Sequence, residues 1–212
     1  MIGSMWKFRL LIGIALVIAV NSSIAQPETN KWKFHFALGI NSPFDSDSSD
    51  DFKFNSVNFP SINLGIQHMF NRQWGAKFDL GYNRAKNDDN STEFKLNYTR
   101  INLQAVYDFK DVLAFMPLRT ALVLHAGPGL SFSKPLSPFS DNNYTYLNAL
   151  AGLEVHYGVA QTVSVYADLS YAFGFSGDDK YDPAVDGFSF NGDVLFLTVG
   201  VSVSLSGCYF CD

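Results

Sequence analysis

The chain has 212 residues, of which 47% are hydrophobic, 16% aromatic and only 17% charged, a bias opposite to that of intrinsically disordered proteins. The chain contains fifteen Lys and Arg residues and twenty Asp and Glu residues, so the formal net charge is −5. Without a basic excess to bind phosphates, the composition argues against a nucleic-acid-binding protein.

Residues 1–25 have the features of a cleaved signal peptide. Two basic residues precede an apolar run over 10–20, and Ser23-Ile24-Ala25 supplies small residues at the positions that a signal peptidase reads. The apolar run has about eleven residues, whereas a spanning helix needs roughly 20. We therefore expect export and cleavage before Gln26, with an uncleaved anchor as the alternative. Because residue 26 is not Cys, a lipid-anchored N-terminus is not indicated.

The remaining chain alternates apolar and polar residues with period two, which predicts β-strands. In the first run, Trp32, Phe34 and Phe36 share one face, and Lys33 and His35 share the other. Eight such runs are predicted, at 31–40, 61–70, 74–83, 94–109, 118–132, 146–157, 162–173 and 193–205.

Two of these runs depart from regular alternation. The fourth changes phase near Tyr98 and Thr99, which predicts a β-bulge there. The fifth contains Pro128, which has no N–H to donate to a neighbouring strand, so we expect a bend or bulge at that point.

The connections alternate between short and long. Short segments follow the second, fourth and sixth runs, and longer polar segments occupy 41–60, 84–93, 133–145 and 174–192. This rhythm is typical of an up-and-down barrel with tight turns at one rim and long loops at the other. The predicted class is all-β, an eight-stranded antiparallel up-and-down transmembrane β-barrel. It comprises the signal peptide at 1–25, the barrel at 26–207 and a short tail at 208–212.

The apolar face is predicted to point outward because of its volume. It carries roughly forty residues, most of them large, whereas the interior of an eight-stranded barrel holds only a filling of side chains or one small ligand. The opposite face is rich in Gly, Ser, Thr and Asn and suits a narrow lumen. A bilayer requires the barrel to close, since open sheet edges would leave backbone groups unpaired in lipid. A secreted soluble barrel is the alternative.

Residues 59–85, 98–109 and 146–173 resemble the outer-membrane β-barrel domains of Bacteroidetes, including the N-terminal barrels of OmpA-like proteins. In that pattern a strand ending in G-x-E/N precedes a short turn and an aromatic-alternating strand, as Gly152-Leu153-Glu154 does before 158–161. The resemblance implies a barrel in the cell outer membrane. It does not imply a peptidoglycan anchor, because the expected domain after the barrel is not present before Asp212. Free-standing barrels also usually end in an aromatic residue, and here Phe210 lies beyond the last strand.

The predicted interior carries charges that need partners, because unpaired burial of charge is costly. The candidate polar network comprises Lys77, Asp79, Arg100, Glu154 and Asp168, and Arg119, His35, His125 and His156 share the same face. We interpret it as a structural network that plugs the lumen; a gate or a proton path is the alternative. A lipid-modifying hydrolase would need a Ser–His–carboxylate set. His156 with Ser170 and Glu154, or His125 with Ser164, are the candidate sets.

The acidic loop residues, the two cysteines and His68 are interpreted without assigning them a binding or catalytic role. Asp45, Asp47, Asp50, Asp51, Asp88, Asp89, Asp178, Asp179, Asp182 and Asp186 make the long loops acidic. Their spacing does not match a calcium-binding EF-hand loop, so we interpret them as solvated. Cys208 and Cys211 form a C-terminal CxxC pair, which we interpret as a small disulfide or an incidental tail; a redox-active pair or half of a metal site is the alternative. His68, on the apolar side near a short turn, is expected at the membrane interface.

The sequence therefore predicts a monomeric outer-membrane barrel with a structural or interaction role, a plugged polar lumen and acidic extracellular loops. We predict no catalytic, cofactor or metal residues, and expect outer-membrane lipid and the barrel-insertion machinery as partners. An outer-membrane lipid-modifying enzyme, a small porin and a small-molecule carrier are the alternatives.

Overall fold

The computed structural model describes residues 31–44, 53–110, 112–113, 115–136, 140–175, 190, 192–205 and 207. The predicted signal peptide, the tail with its two cysteines, and the acidic stretches 45–51 and 178–186 lie outside these residues. Among the described residues, no helix is long and apolar enough to cross a membrane.

The described residues form one closed barrel of eight antiparallel strands in sequential order, with β1 paired to β8. The strands are β1 (Trp32–Pro43), β2 (Asn58–Met69), β3 (Trp74–Lys86), β4 (Lys95–Asp108), β5 (Thr120–Pro135), β6 (Tyr144–Gly158), β7 (Val163–Gly174) and β8 (Val194–Ser204). The predicted fold class and strand count are confirmed. Several strands, including β1, β3, β5 and β6, extend further toward the long connections than the alternation had indicated.

The two rims of the barrel differ in connection length, with one departure from the prediction. Connections of four residues join β2 to β3 and β6 to β7, and we call this end the short-turn rim. Its β4–β5 connection has eleven residues, more than the eight that join β3 to β4 or β5 to β6. The four other connections, between β1 and β2, β3 and β4, β5 and β6, and β7 and β8, meet at the long-loop rim. Because β1 starts and β8 ends at the short-turn rim, both ends of the described barrel lie there.

Side chains alternate between the outside and the interior of the barrel along every strand. In β1, Phe34 and Phe36 are exposed on the outside, whereas Lys33 and His35 are buried. The outward orientation of the apolar face is therefore confirmed. His68 lies on the outer face at the short-turn rim, with its ring 4.4 Å from the Trp32 ring.

The bulge predicted near Tyr98 and Thr99 is wrong. β4 pairs with β3 in one continuous register from Tyr107 to Lys95. The hydrophobic phase changes because Leu96 and Tyr98 are buried inside the barrel near the long-loop rim. Here the interior is apolar, so hydrophobic residues no longer mark the outer face.

Pro128 interrupts pairing without shifting the register. Pairing with β4 stops between Ala126 and Gly129 and resumes in the same register, while pairing with β6 continues through Pro128. The predicted bulge is therefore absent at this position. The structure places a register shift in β2 instead, between Ser61 and Asn58, where one extra residue is accommodated beside Pro60.

Candidate functional site

The five residues of the predicted polar network all point into the barrel and are almost fully buried. Lys77 and Asp79 come from β3, Arg100 from β4, Glu154 from β6 and Asp168 from β7. Each occupies an inward position of its strand, so the period-two pattern places all five in the interior. Their side chains form two ion pairs and a histidine-linked chain.

The first ion pair joins neighbouring strands. Arg100 donates from Nη1 to the Asp79 carboxylate, and from Nη2 to the Asn63 amide oxygen at 3.1 Å. The guanidinium carbon also lies 4.9 Å from the centre of the Phe196 ring. Arg100 is therefore held by a carboxylate, an amide and an aromatic face, which replace part of the hydration that its buried charge has lost, while its Nε has no hydrogen-bond partner among the described residues.

The second ion pair crosses the interior. Lys77 Nζ lies 2.5 Å from Glu154 Oε1, and both side chains are at most 5% exposed. Their strands, β3 and β6, are three positions apart around the eight-stranded ring. A pair that spans the lumen in this way places a charged side chain across any axial path for solutes.

The histidines extend this pair into a continuous chain. His125 contacts Gln104 Oε1 through Nδ1 at 2.5 Å and Asp168 Oδ1 through Nε2 at 3.1 Å. His125 Nε2 also lies 3.9 Å from Glu154 Oε1. Asp168 in turn accepts from the Ser170 hydroxyl at 2.7 Å.

The second histidine contacts a different serine from the predicted one. His156 Nε2 lies 2.7 Å from Glu154 Oε2, and His156 Nδ1 lies 3.2 Å from Ser164 Oγ. Ser170 instead donates to Asp168. Both predicted sets were wrong in their serine, because β7 places Ser164 beside His156 and Ser170 three inward positions further along the lumen, beside Asp168. The resulting Ser–His–Glu chain is buried throughout.

One further histidine has unsatisfied polar atoms. His35 is 3% exposed, and neither of its ring nitrogens has a hydrogen-bond partner among the described residues. Its ring packs edge-on against Tyr166, with centroids 5.5 Å apart, and lies 6.1 Å from the His156 ring. His35 therefore belongs to the interior by packing and not by hydrogen bonding.

Three interior side chains have the donor types of a metal site. His125, Glu154 and Asp168 present donor atoms that all lie within 4.8 Å of one another. The Lys77 ammonium, however, lies 2.5 Å from Glu154 and already supplies a positive charge there. A dication would have to displace this ammonium, so the geometry favours the ion pair over a metal.

An aromatic layer closes the interior at the long-loop rim. We call it the aromatic cap: Phe54 from the β1–β2 connection, Phe94 just before β4, and Phe190 from the β7–β8 connection. Ring centroids are 4.9 Å apart for Phe54 and Phe94 and 5.4 Å apart for Phe54 and Phe190. All three are buried. Sequence analysis missed the cap, although the phase change at Tyr98, whose ring lies 6.0 Å from Phe190, was its signal.

Two other predictions concern residues near the rims. Arg119 does not face the lumen, because it lies in the turn before β5 with a positive φ of 68° and is exposed. The predicted start of the fifth strand was two residues too early, which shifted Arg119 onto the strand. Of the acidic loop residues, Asp88 and Asp89 are described, and they form a local turn in which Asp88 Oδ1 accepts from Asp89 N at 2.6 Å.

Comparison with known proteins supports the architecture. No protein-family model matches the chain, and no curated protein matches it significantly. Neisserial surface protein A matches with a TM-score of 0.59 and 21% identity, over 83% of this chain and 97% of that chain. This chain therefore has the fold of the outer-membrane β-barrels. A major outer membrane protein from Thermus thermophilus matches with a TM-score of 0.54 and 14% identity, over 82% of this chain and 98% of that chain. The resemblance to Bacteroidetes barrels stays a prediction.

Proposed function

We propose that this chain is an integral protein of an outer membrane with a structural or interaction role, presented at its long-loop rim. One observation carries the proposal: a closed barrel exposes apolar side chains around its outer wall and buries its charges inside. A water-soluble barrel would need the reverse arrangement. In lipid, closure satisfies the backbone groups of all eight strands, each of which would otherwise cost several kcal/mol if left unpaired.

The two rims and the outer wall support a definite orientation. Outer-membrane barrels have short periplasmic turns and longer extracellular loops, so the short-turn rim corresponds to the periplasmic side. Trp32, Trp74 and Tyr107 lie on the outer face at this rim, where aromatic side chains suit the interface between lipid and water. The predicted signal peptide and the barrel-insertion machinery would bring the chain to this location.

The interior supports a role without conduction. The Lys77–Glu154 pair crosses the lumen, and the aromatic cap covers its long-loop end. An interior of this width is filled by its own side chains. We therefore propose that the barrel is a scaffold for its long loops and carries no solute.

Heat-modifiability after outer-membrane fractionation tests the location and the fold together. A folded membrane barrel should be recovered in the outer-membrane fraction and should run at different apparent sizes on a gel before and after boiling. Recovery in the soluble periplasmic fraction, with no difference on boiling, would show that the proposal is wrong.

Planar-bilayer recording tests the closed interior. We expect purified wild-type protein to give no steady open-channel current, because an ion pair and an aromatic layer lie in series along the axis. Steady, large and weakly selective conductance would contradict the scaffold role and would favour a small porin.

An enzyme is the second candidate, and the Ser164–His156–Glu154 chain is the observation that favours it. A His between a hydroxyl and a carboxylate is the arrangement that activates a serine nucleophile. Labelling of wild-type protein by a fluorophosphonate probe, lost in S164A and retained in S170A, would establish a reactive serine. We expect no labelling, because Ser164 is only 4% exposed inside the barrel.

A further inference from the structure

An apolar groove on the outer wall lies between β3, β4 and β5. It has a volume of about 390 Å³ and is lined by Trp74, Ala105, Tyr107, Leu124 and Ala126. Ala105 and Ala126 are cross-strand partners, so two short side chains form the floor. Tyr107 and Leu124, the next outward pair toward the short-turn rim, form one wall.

The groove rises obliquely from the short-turn rim. Trp74, Tyr107 and Leu124 are joined in one cross-strand row by strand pairing. Trp74 is the first residue of β3, whereas Leu124 is the fifth residue of β5. The row therefore moves deeper into the wall from β3 to β5. A flexible chain that enters at the rim beside Trp74 would follow it toward the middle of the barrel wall.

Positive charge lies at the rim end of the groove. Arg72 is exposed in the β2–β3 turn, two residues before Trp74. Arg119 is exposed just before β5, five residues before Leu124. Leu124 lies four residues from Thr120, where β5 begins next to Arg119, and at roughly 3.3 Å per residue this spans about 13 Å along the strand. This is close to the roughly 15 Å that the acyl chains of one leaflet span.

The adjoining β4–β5 connection exposes large apolar side chains. Phe115 is 82% exposed and Leu118 is 86% exposed, the two largest exposures among the described large hydrophobic residues. Their positions beside Arg119 suit the boundary between headgroups and acyl chains, where apolar and cationic side chains are both solvated. This side of the rim has the chemistry of a lipid interface.

We propose that the groove binds one anionic glycerophospholipid of the periplasmic leaflet. An acyl chain lies on the alanine floor, and the phosphate-bearing headgroup lies between Arg72 and Arg119. The inference rests on the proposed membrane location, and it adds a defined lipid site to the apolar wall. Outward-facing small residues, flanking aromatic rings and two arginines at one end together match a lipid's apolar chain and anionic head.

Tryptophan quenching by brominated lipid tests the site. With W6F and W32F, Trp74 is the single tryptophan and lines the groove. The protein would be reconstituted in phosphatidylcholine vesicles with a small fraction of brominated phosphatidylglycerol or brominated phosphatidylcholine. We expect Trp74 to prefer the anionic lipid by about 25-fold, since each of the two arginines near the membrane surface contributes about fivefold. The preference should fall at high salt.

A tryptophan on the opposite wall of the barrel serves as the control for the groove reporter. Val165 is exposed on β7, four strands from β3, so V165W in a W6F/W32F/W74F background reports ordinary contact with lipid. Its quenching by the two lipids should be about equal. Absence of quenching at both reporters would instead overturn the membrane location itself, which separates that failure from failure of the lipid site.

Variants separate the headgroup contact from the groove. R72Q/R119Q should reduce the preference at Trp74 to about one. A105L/A126L fills the floor and should lower the preference at least twofold, while A167L, an outward alanine on β7, should leave it unchanged. Equal quenching of Trp74 by both lipids in the W6F/W32F protein would overturn the proposal. A preference that survives R72Q/R119Q would do so as well.

Discussion

Replacing Arg100 by Met tests whether the interior charges are held as pairs. Arg100 is 1% exposed and its partner Asp79 is 6% exposed, so the substitution leaves a carboxylate buried without its main partner. Breaking a buried ion pair by removing one member typically costs 3–5 kcal/mol. The bond to Asn63 is lost as well. We therefore expect R100M to lower the free energy of unfolding by about 3–5 kcal/mol.

The chain offers a matched exposed pair as a control. Lys95 Nζ lies 3.3 Å from Glu93 Oε1, but the two side chains are 50% and 81% exposed. Pairs of this kind contribute about 0–1 kcal/mol, so K95M should change stability by no more than that. Adding D79N to R100M removes the unpaired charge, and the double variant should cost less than the sum of the two single variants.

The assay is urea-induced unfolding from lipid vesicles, followed by tryptophan fluorescence and checked by heat-modifiability on gels. Equal losses for R100M and K95M would refute the reasoning, because burial would then have no effect on the value of the pair. Strict additivity of R100M and D79N would refute it too, since the two groups would not be energetically coupled.

The remaining predictions concern the two faces of the wall. Val199 is 63% exposed at the centre of β8, so V199R should make the free energy of folding into vesicles less favourable by about 2–4 kcal/mol. V203R, near the rim, should make it less favourable by only about 0–1 kcal/mol. Equal costs in folding titrations would show that this wall does not face lipid. A Cβ at Gly152 would lie 2.6 Å from the His125 ring, so G152A should cost about 1–3 kcal/mol by overpacking. At Gly65 the nearest atom to an added Cβ would be 3.3 Å away, so G65A should lower the unfolding midpoint less than G152A does. The opposite order would show that the interior is not packed as described.

Much of the architecture follows from local sequence pattern. Successive side chains of a strand point to opposite faces, so alternation alone assigned Lys77, Asp79, Arg100, Glu154 and Asp168 to one shared face. The number of runs and the alternating lengths of their connections were sufficient for an eight-stranded up-and-down barrel. The volume of the apolar face then determined which side points outward, because the interior is too narrow for that many large side chains.

Tertiary structure decided which interior residues meet. Lys77 and Glu154 are 77 residues apart and contact each other only because the barrel closes and brings β3 and β6 across one lumen. His156 selects Ser164 over Ser170 through the β6–β7 register, which alternation does not specify. The aromatic cap joins Phe54 and Phe190 from separate connections, whose sequences have no local period. Local pattern reports the face of each side chain, whereas partners depend on register and closure, which are properties of all eight strands together.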